Sequence, residues 1–458
     1  MIIHTYYIWT IGCQMNVSDS RRLAESLESL GYQPAARLED ADVMVLNTCV
    51  VRQSAEDKVL GRLSSLKPVK RRRPAAVLAL VGCFVGQGTE ETQLRQTYPF
   101  VDVFLPPGDT AVQQVSELAR QRLDGDRVAK DAKPMPVNSI EAHLASVPVC
   151  AYTTIIYGCN NFCSYCIVPY RRGREISRPV EEVVAEIGRL VAAGAKEVTL
   201  LGQNVDSYGR DLPGQPTLAD LLRAVHEIDG LWRIRFLTSH PKDVTLDLIE
   251  SVARLPKVCE HIELPVQAGD DAMLRRMNRH YSVVRYRELI SQIRQALPVV
   301  SVATDVVVGF PGETTEQFEN TYALLAEIRF DAVHIAAYSP RPDTAAALLT
   351  DDVPPEEKEG RRQAVEVLQE QIAGEINGSL LGQTVEVLVE GRHRGKWQGR
   401  TRTNKLVFFV DHAQPCHDWR GQLVQIQVTW TGPWSMQGKV APSAAYGSSE
   451  FCGFAAQE

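Results

Sequence analysis

Three cysteines stand in Cys-x3-Cys-x2-Cys spacing at Cys159, Cys163 and Cys166, inside the run Gly158-Cys159-Asn160-Asn161-Phe162-Cys163-Ser164-Tyr165-Cys166. A loop of that length can turn three thiolates toward one point, where a [4Fe–4S] cube would take them on three of its four irons. The fourth iron stays open to a chelating ligand. S-adenosylmethionine (SAM) offers an amino and a carboxylate group for that position, and an electron from the cluster can break its S–C bond to give an adenosyl radical. Zinc is the alternative, with Cys163 and Cys166 as half of a knuckle. Closed zinc sites want four ligands, however, and no second Cys-x2-Cys or His-x3–5-His pair lies nearby.

A second trio is spread over the first hundred residues: Cys13, Cys49 and Cys83, 36 and then 34 residues apart. Each follows a strand-like run, at Tyr6 to Thr10, Val43 to Asn47 and Val77 to Val81. Helical patterns lie between, from Ser18 through Leu23 and Leu27 to a stop at Gly31, and from about Ser54 to Leu66. Alternating strands and helices predict a parallel sheet, and parallel neighbours bring the three cysteines to one carboxyl edge, where open α/β sheets hold ligands. Taken singly, each is most simply a buried structural thiol. Their repetition at equal strand positions points to a second iron–sulfur site, and the small Gly12 and Gly82 let backbone approach it.

The elements that must position these groups divide the chain. Residues 1–122 form the first α/β domain, and 123–147, rich in Asp, Lys and Pro without periodicity, read as a linker. In 148–375 six strand-like runs alternate with helices: Thr153 to Gly158, Glu197 to Gly202, Arg233 to Thr238, Ile262 to Val266, Val302 to Val308 and Val333 to Tyr338. Helices are expected over Pro179 to Ala193 and Thr314 to Ile328, among others. Six units fall short of a closed eight, so the expectation is a partial (β/α)6 barrel with its chemistry at the strand carboxyl ends. Gln203, Asn204, Ser239, His240 and Gln267, with Gly309-Phe310-Pro311-Gly312-Glu313, gather at that end. Any one of them alone is a turn; together they look like walls. From 376 to 443 short alternating strands with glycine turns predict a small β-barrel of the nucleic-acid-binding sort. Residues 444–458 read as a frayed tail.

Composition narrows the class. The chain has 458 residues, 44% of them hydrophobic, enough for two to four ordinary cores. No apolar run reaches about 18 residues, and the amino terminus lacks the charged and apolar regions of a signal peptide, so the expectation is a cytoplasmic protein without a membrane span. Ten cysteines in that reducing setting point to metal chemistry. Those outside the trios, Cys150, Cys259, Cys416 and Cys452, read as ordinary thiols. A formal net charge of −7 argues against indiscriminate nucleic-acid coating. Three basic clusters remain: Lys67 with Lys70 to Arg73; Arg171, Arg172 and Arg174; and Arg392, Arg394, Lys396, Arg400, Arg402 and Lys405. Each alone is a solvated face; together they suggest a phosphate-bearing partner.

With these residues in view the chain resembles a radical-SAM methylthiotransferase along nearly its whole length. The likeness rests on Thr10-Ile11-Gly12-Cys13-Gln14-Met15-Asn16, Leu46-Asn47-Thr48-Cys49, Val81-Gly82-Cys83, the cluster loop, and Gly391 to Asn404, which is similar to a TRAM domain. The run Tyr157 to Tyr170, Arg172-Gly173-Arg174-Glu175 and Leu201-Gly202-Gln203-Asn204-Val205 most resemble the branch acting on N6-dimethylallyladenosine next to the anticodon. The departures are Ala268 and Asp270, where the family usually has serines. The resemblance implies two [4Fe–4S] clusters, one on Cys159, Cys163 and Cys166 that cleaves SAM and an auxiliary one on Cys13, Cys49 and Cys83 concerned with sulfur delivery. It further implies that Gln203, Asn204, Ser239 and Gln267 line the SAM pocket. The six basic residues from Arg392 to Lys405 would hold the tRNA anticodon stem-loop, with Trp397 stacked on a base. An electron donor such as flavodoxin or ferredoxin and a sulfur source would be needed. Relatives acting on a ribosomal-protein aspartate or on threonylcarbamoyl-adenosine are the alternatives within the family, and a zinc-bearing RNA-binding protein is the alternative without catalysis.

Overall fold

The computed structural model describes residues 4–50, 53–86, 89–124, 148–411 and 416–441. The linker from Gly125 onward and the tail from Ala444 lie outside them.

The first domain runs β1 (Thr5–Thr10), α1 (Gln14–Ser29), β2 (Gln33–Pro34), β3 (Val43–Thr48), α2 (Gln53–Arg72), β4 (Val77–Gly82), α3 (Thr89–Thr97), β5 (Val103–Leu105) and α4 (Asp109–Ala119). The strands form one parallel sheet in the order β2-β1-β3-β4-β5. Every residue of β3 and β4 is buried, as expected where helices cover both faces. Because successive side chains point to opposite faces, Met44, Leu46, Leu78 and Leu80 pack on Val59 and Leu63 of α2. Val43, Val45, Val77 and Ala79 pack on Leu23 and Leu27 of α1 and Val115 of α4. Of these elements β2, β5, α3 and α4 were not read from the sequence.

The second domain runs β6 (Cys150–Thr154), β7 (Ile156–Tyr157), α5 (Val168–Arg172), β8 (Ile176–Ser177), α6 (Val180–Ala192), β9 (Glu197–Leu201), α7 (Leu218–His226), β10 (Arg233–Phe236), α8 (Leu246–Arg254), β11 (His261–Glu263), α9 (Asp271–Arg276), α10 (Val283–Ala296), β12 (Ser301–Val308), α11 (Thr315–Ile328), β13 (Ala332–Ala337) and α12 (Pro355–Gly378). Two parallel three-stranded sheets, β6-β9-β10 and β11-β12-β13, meet through a parallel bridge from Ile234 to Val258 and a bond from the Ser239 N–H to the Glu263 carbonyl. The result is the expected six-stranded open barrel, with β6 and β13 as its edges. Thr217, Thr245, Asp270, Ser282 and Thr314 cap the starts of α7, α8, α9, α10 and α11 with their side chains, which sets where each helix leaves its loop. One strand expectation needs correction. The run Thr153 to Gly158 is two elements, since the ladder with β9 ends at Ile155, and β7 turns to pair antiparallel with β8. The cluster loop therefore hangs from a two-stranded clasp of its own.

The third domain is a closed barrel of β14 (Thr384–His393), β15 (Lys396–Arg400), β16 (Leu406–Phe409), β17 (Leu423–Thr431) and β18 (Met436–Val440), ordered β14-β15-β16-β18-β17. The expectation lacked β18. Trp397 is in the core of this barrel with Phe409 and Trp419, and the Arg392 guanidinium covers its ring at 4.2 Å. Its expected place against an RNA base is thereby corrected.

The outer domains attach to different parts of the middle one. From the first domain, α1 lies against β6, with the Thr154 hydroxyl donating to Ser18 at 3.1 Å, and Glu56 of α2 pairs with Arg341 beyond β13 at 3.3 Å. The first domain thus reaches both edges of the open barrel. The hairpin Arg400–Lys405 of the third domain sits at the amino ends of the strands. Arg233 donates to the Arg400 carbonyl and the Glu386 carboxylate, and Arg235 to the Arg402 and Thr401 carbonyls and to Glu197. In return Arg402 pairs with Glu260 at 2.7 Å, and Lys405 with Asp331 at 2.7 Å.

Candidate active site of two cysteine triplets

Cys159, Cys163 and Cys166 lie on the loop between β7 and β8. Gly158 opens it at φ +71°, and a Cβ there would come within 2.0 Å of the Arg174 carbonyl oxygen, so only glycine fits where the clasp closes. Phe162 takes φ +45°, and Asn278 secures that turn by donating to its carbonyl at 2.9 Å. The sulfurs already have donors: the Asn161 N–H points at Cys159 Sγ (3.5 Å), and Arg279 Nη1 at Cys163 Sγ (3.4 Å). Burial pushes the Cys159 thiol up to about 11 and the Cys166 thiol up to about 12. As thiolates they need a compensating cation, and three such sulfurs, two of them with N–H donors, suit an iron–sulfur cluster.

Cys13, Cys49 and Cys83 follow β1, β3 and β4, three adjacent parallel strands, at one sheet edge. Asn16 and Asn47 lock that edge. Asn16 Nδ2 donates to Asn47 Oδ1 (2.9 Å) and the Thr48 carbonyl (3.0 Å), and Asn47 returns a bond to the Asn16 carbonyl (2.8 Å). At Gly82, φ +106°, a Cβ would meet the Thr48 carbonyl oxygen at 2.4 Å. Cys49 and Cys83 are buried and Cys13 is exposed; no disulfide joins any described cysteine. Burial raises the Cys83 thiol, while the nearby Arg172 opposes the rise. This donor set also fits a cluster.

The two triplets are close. Cys83 packs with Val50 and Ile167, the residue after Cys166, and Arg172 from the cluster loop donates to Asp19 at 3.0 Å and lies near Cys83.

At the carboxyl ends of the barrel strands, Asn204 is buried and donates to Asp243 (2.8 Å), while Ser239 and the His240 N–H donate to Asp206 at 3.1 and 2.8 Å. Gln267, at φ +66°, bridges to β12 through the Asp305 carbonyl and the Val307 N–H. Gln203 Oε1 and Asn204 Oδ1 are buried with no partner within the described residues, as befits acceptors awaiting a polar ligand. Lower on the wall, Glu263, Asp305 and His334 from three neighbouring strands bring ligand atoms within 4.8 Å of one another. Burial, then Asp305, pushes the Glu263 carboxyl up to about 7.

Three family models match: Radical SAM superfamily over residues 153–325, Uncharacterized protein family UPF0004 over 5–106, and TRAM domain over 378–441. The tRNA-2-methylthio-N(6)-dimethylallyladenosine synthase of Roseiflexus sp. (strain RS-1) is 54% identical over 448 residues, covering 96% of this chain and 90% of that protein. The chain belongs to this synthase family. The like-named protein of Chloroflexus aurantiacus is 52% identical over 94% of this chain and 91% of its own length. Among solved structures, the radical S-adenosylmethionine methyltransferase TsrM from Kitasatospora setae, with cobalamin and a [4Fe–4S] cluster bound, has a TM-score of 0.56. That likeness covers 76% of this chain and 74% of TsrM at 14% identity, and is one of fold.

For a synthase of this family the basic clusters sort unexpectedly. In the first, Lys70 pairs with Asp102 and Arg73 with Asp42, each at 2.7 Å. In the second, Arg171 faces Asp343 at 3.9 Å, Arg172 is buried against the cysteines, and Arg174 covers the Phe162 ring at 4.5 Å. In the third, Arg402 and Lys405 tie the hairpin to the barrel, Arg400 approaches Glu390 (3.4 Å), and Arg392, Arg394 and Lys396 are exposed. Asp270, at a position of family departure, caps α9 by accepting from the Ala272 and Met273 N–H groups. Sequence reading gave no role to Arg279, Asp206 or Glu263. Arg279 and Glu263 could not have been picked out by spacing, being ordinary letters 116 residues from Cys163 and, in Glu263, inside a strand.

Proposed function

We propose that this synthase adds a methylthio group to C2 of N6-dimethylallyladenosine beside the anticodon of tRNA, with Cys159, Cys163 and Cys166 holding one [4Fe–4S] cluster and Cys13, Cys49 and Cys83 the other. The observation that carries this reading is the contact of Cys83 with the loop that bears Cys166. When bound, SAM and the clusters supply a radical able to open an adenine C2–H bond that no side-chain base working near pH 7 could deprotonate.

The chain's own groups do the rest. Gln203, Asn204, Ser239 and Gln267 bind and orient SAM, Gln203 and Asn204 through their unpartnered oxygens. Arg279 fixes the cluster loop by joining Cys163 to the Pro265 carbonyl at 3.0 Å. Arg392, Arg394 and Lys396 lie along the tRNA phosphates, helped by Arg400, while Arg402 and Lys405 hold their domain in place. Flavodoxin or ferredoxin supplies electrons and a separate donor replenishes sulfur. Among the described residues no helix is long and apolar enough to cross a membrane, and the proposed site of action is the cytoplasm.

Alanine at Cys159, Cys163 or Cys166 should abolish SAM cleavage. Alanine at Cys13, Cys49 or Cys83 should stop methylthiolation while some abortive SAM cleavage persists. Nucleoside mass spectrometry and 5′-deoxyadenosine counts on anaerobically reconstituted enzyme separate the two, and full product from C49A would refute the division.

A further inference from the structure

Ile167 follows Cys166 and caps α5, which ends at Arg172. Arg172 is thus six residues from a sulfur of one triplet, yet its guanidinium belongs to the other. It is 4% exposed, donates to Asp19 on α1 at 3.0 Å, and lies beside Cys83 and Cys13. Asp19 lies on the helix that Cys13 caps, so Asp19, Cys13 and Cys83 beside this guanidinium all come from the first domain. The guanidinium's charge is held inside the protein by the ion pair with Asp19.

We propose that Arg172 is a positioning residue for the auxiliary cluster, a fixed positive charge beside Cys83 that the barrel's cluster loop lends to the first domain. A thiolate-ligated cluster gains negative charge on reduction, and a nearby cation favours that state, the more so where water is excluded. Arg172 therefore raises the auxiliary cluster's reduction potential, and Asp19, on the same guanidinium, partly offsets it. The cation is ordered only when α5 is in place, so the fold of one cluster loop bears on the chemistry of the other site. This rests on the reading of Cys13, Cys49 and Cys83 as cluster ligands.

The test is an EPR-monitored redox titration of the reconstituted full chain, with iron counts. Adding SAM identifies the SAM-cleaving cluster, because its signal shifts. In R172M the SAM-insensitive signal should move to lower potential, in D19N to higher potential, and in R172K it should stay near wild type. The SAM-sensitive signal should not move in any of the three. Opposite shifts from R172M and D19N are not what a merely structural role gives. An unchanged auxiliary potential in R172M holding about eight irons would overturn the proposal. So would iron loss in R172M that R172K does not restore; restoration by R172K of both iron and potential would support it. Wild-type enzyme with only about four irons would instead overturn the ligand assignment, and the role of Arg172 with it.

Discussion

Asp206 stands beside the proposed SAM pocket, and its burial pushes the carboxyl up to about 7 although the His240 N–H and the Ser239 hydroxyl both favour the ionised form. In the unfolded chain the same group ionises near 3.8. Folding therefore takes up a proton between those two values, and this group's share of stability falls as pH rises from about 4 to about 7. Asn at this position cannot titrate. Across that window the stability of D206N relative to wild type should rise with pH, as read by denaturant unfolding of the metal-free protein at several pH values. A difference that stays flat would mean that Asp206 is ionised throughout. At this scale a sequence shows identity and not environment: nothing in Val205-Asp206-Ser207 separates a carboxyl held at about 7 from an ordinary one.

The hairpin Arg400–Lys405 depends on cations that the barrel contributes. Arg235 is buried, and its three nitrogens satisfy the Thr401 and Arg402 carbonyls and Glu197. Replacing it with Met leaves Glu197 buried without that partner and takes a donor from the Arg402 carbonyl and from the Thr401 carbonyl, which keeps only the Asn404 N–H, a loss of about 3–5 kcal/mol. We expect R235M to release the carboxy-terminal barrel from the middle domain while each keeps its own core. Hydrogen exchange in 400–405 should rise well above that in β12, whose interior ladder does not involve the hairpin. The pair of strands was legible from alternation and glycine turns, although alternation carries the first from Gln398 to Asn404, where the structure has Lys396–Arg400 and then the turn. The hairpin's docking was not, because Arg and Glu on a strand edge follow the same pattern whether they face solvent or a partner.

For the whole molecule, the proposed tRNA contact is electrostatic and its strength can be counted. Each phosphate neutralised on a single strand contributes about 0.7 to the slope of log affinity against log salt, and about 0.9 on a duplex. Alanine at Arg392, Arg394 and Lys396 together should lower that slope by about 2 to 3. Alanine at Lys405, already paired with Asp331 at 2.7 Å, should lower it far less. Filter binding of an anticodon stem-loop across a salt series measures both. If Lys405 proved equal to the exposed three, the hairpin would have to leave the barrel when tRNA binds.

The sequence by itself determined the two cysteine triplets, the parallel sheet under one and the six barrel strands around the other, because these follow from short spacings and from the period of side chains along a strand. It also determined the family. The tertiary structure decided which cations remain available to a nucleic acid and which join domains. It also decided that Arg172 pairs with Asp19 on the far side of a domain boundary, 153 residues away. The reason is physical: local periodicity is set by backbone geometry and can be read in one dimension. The partner of a buried charge is set by which distant groups lose water together, and that is fixed only when the chain has packed.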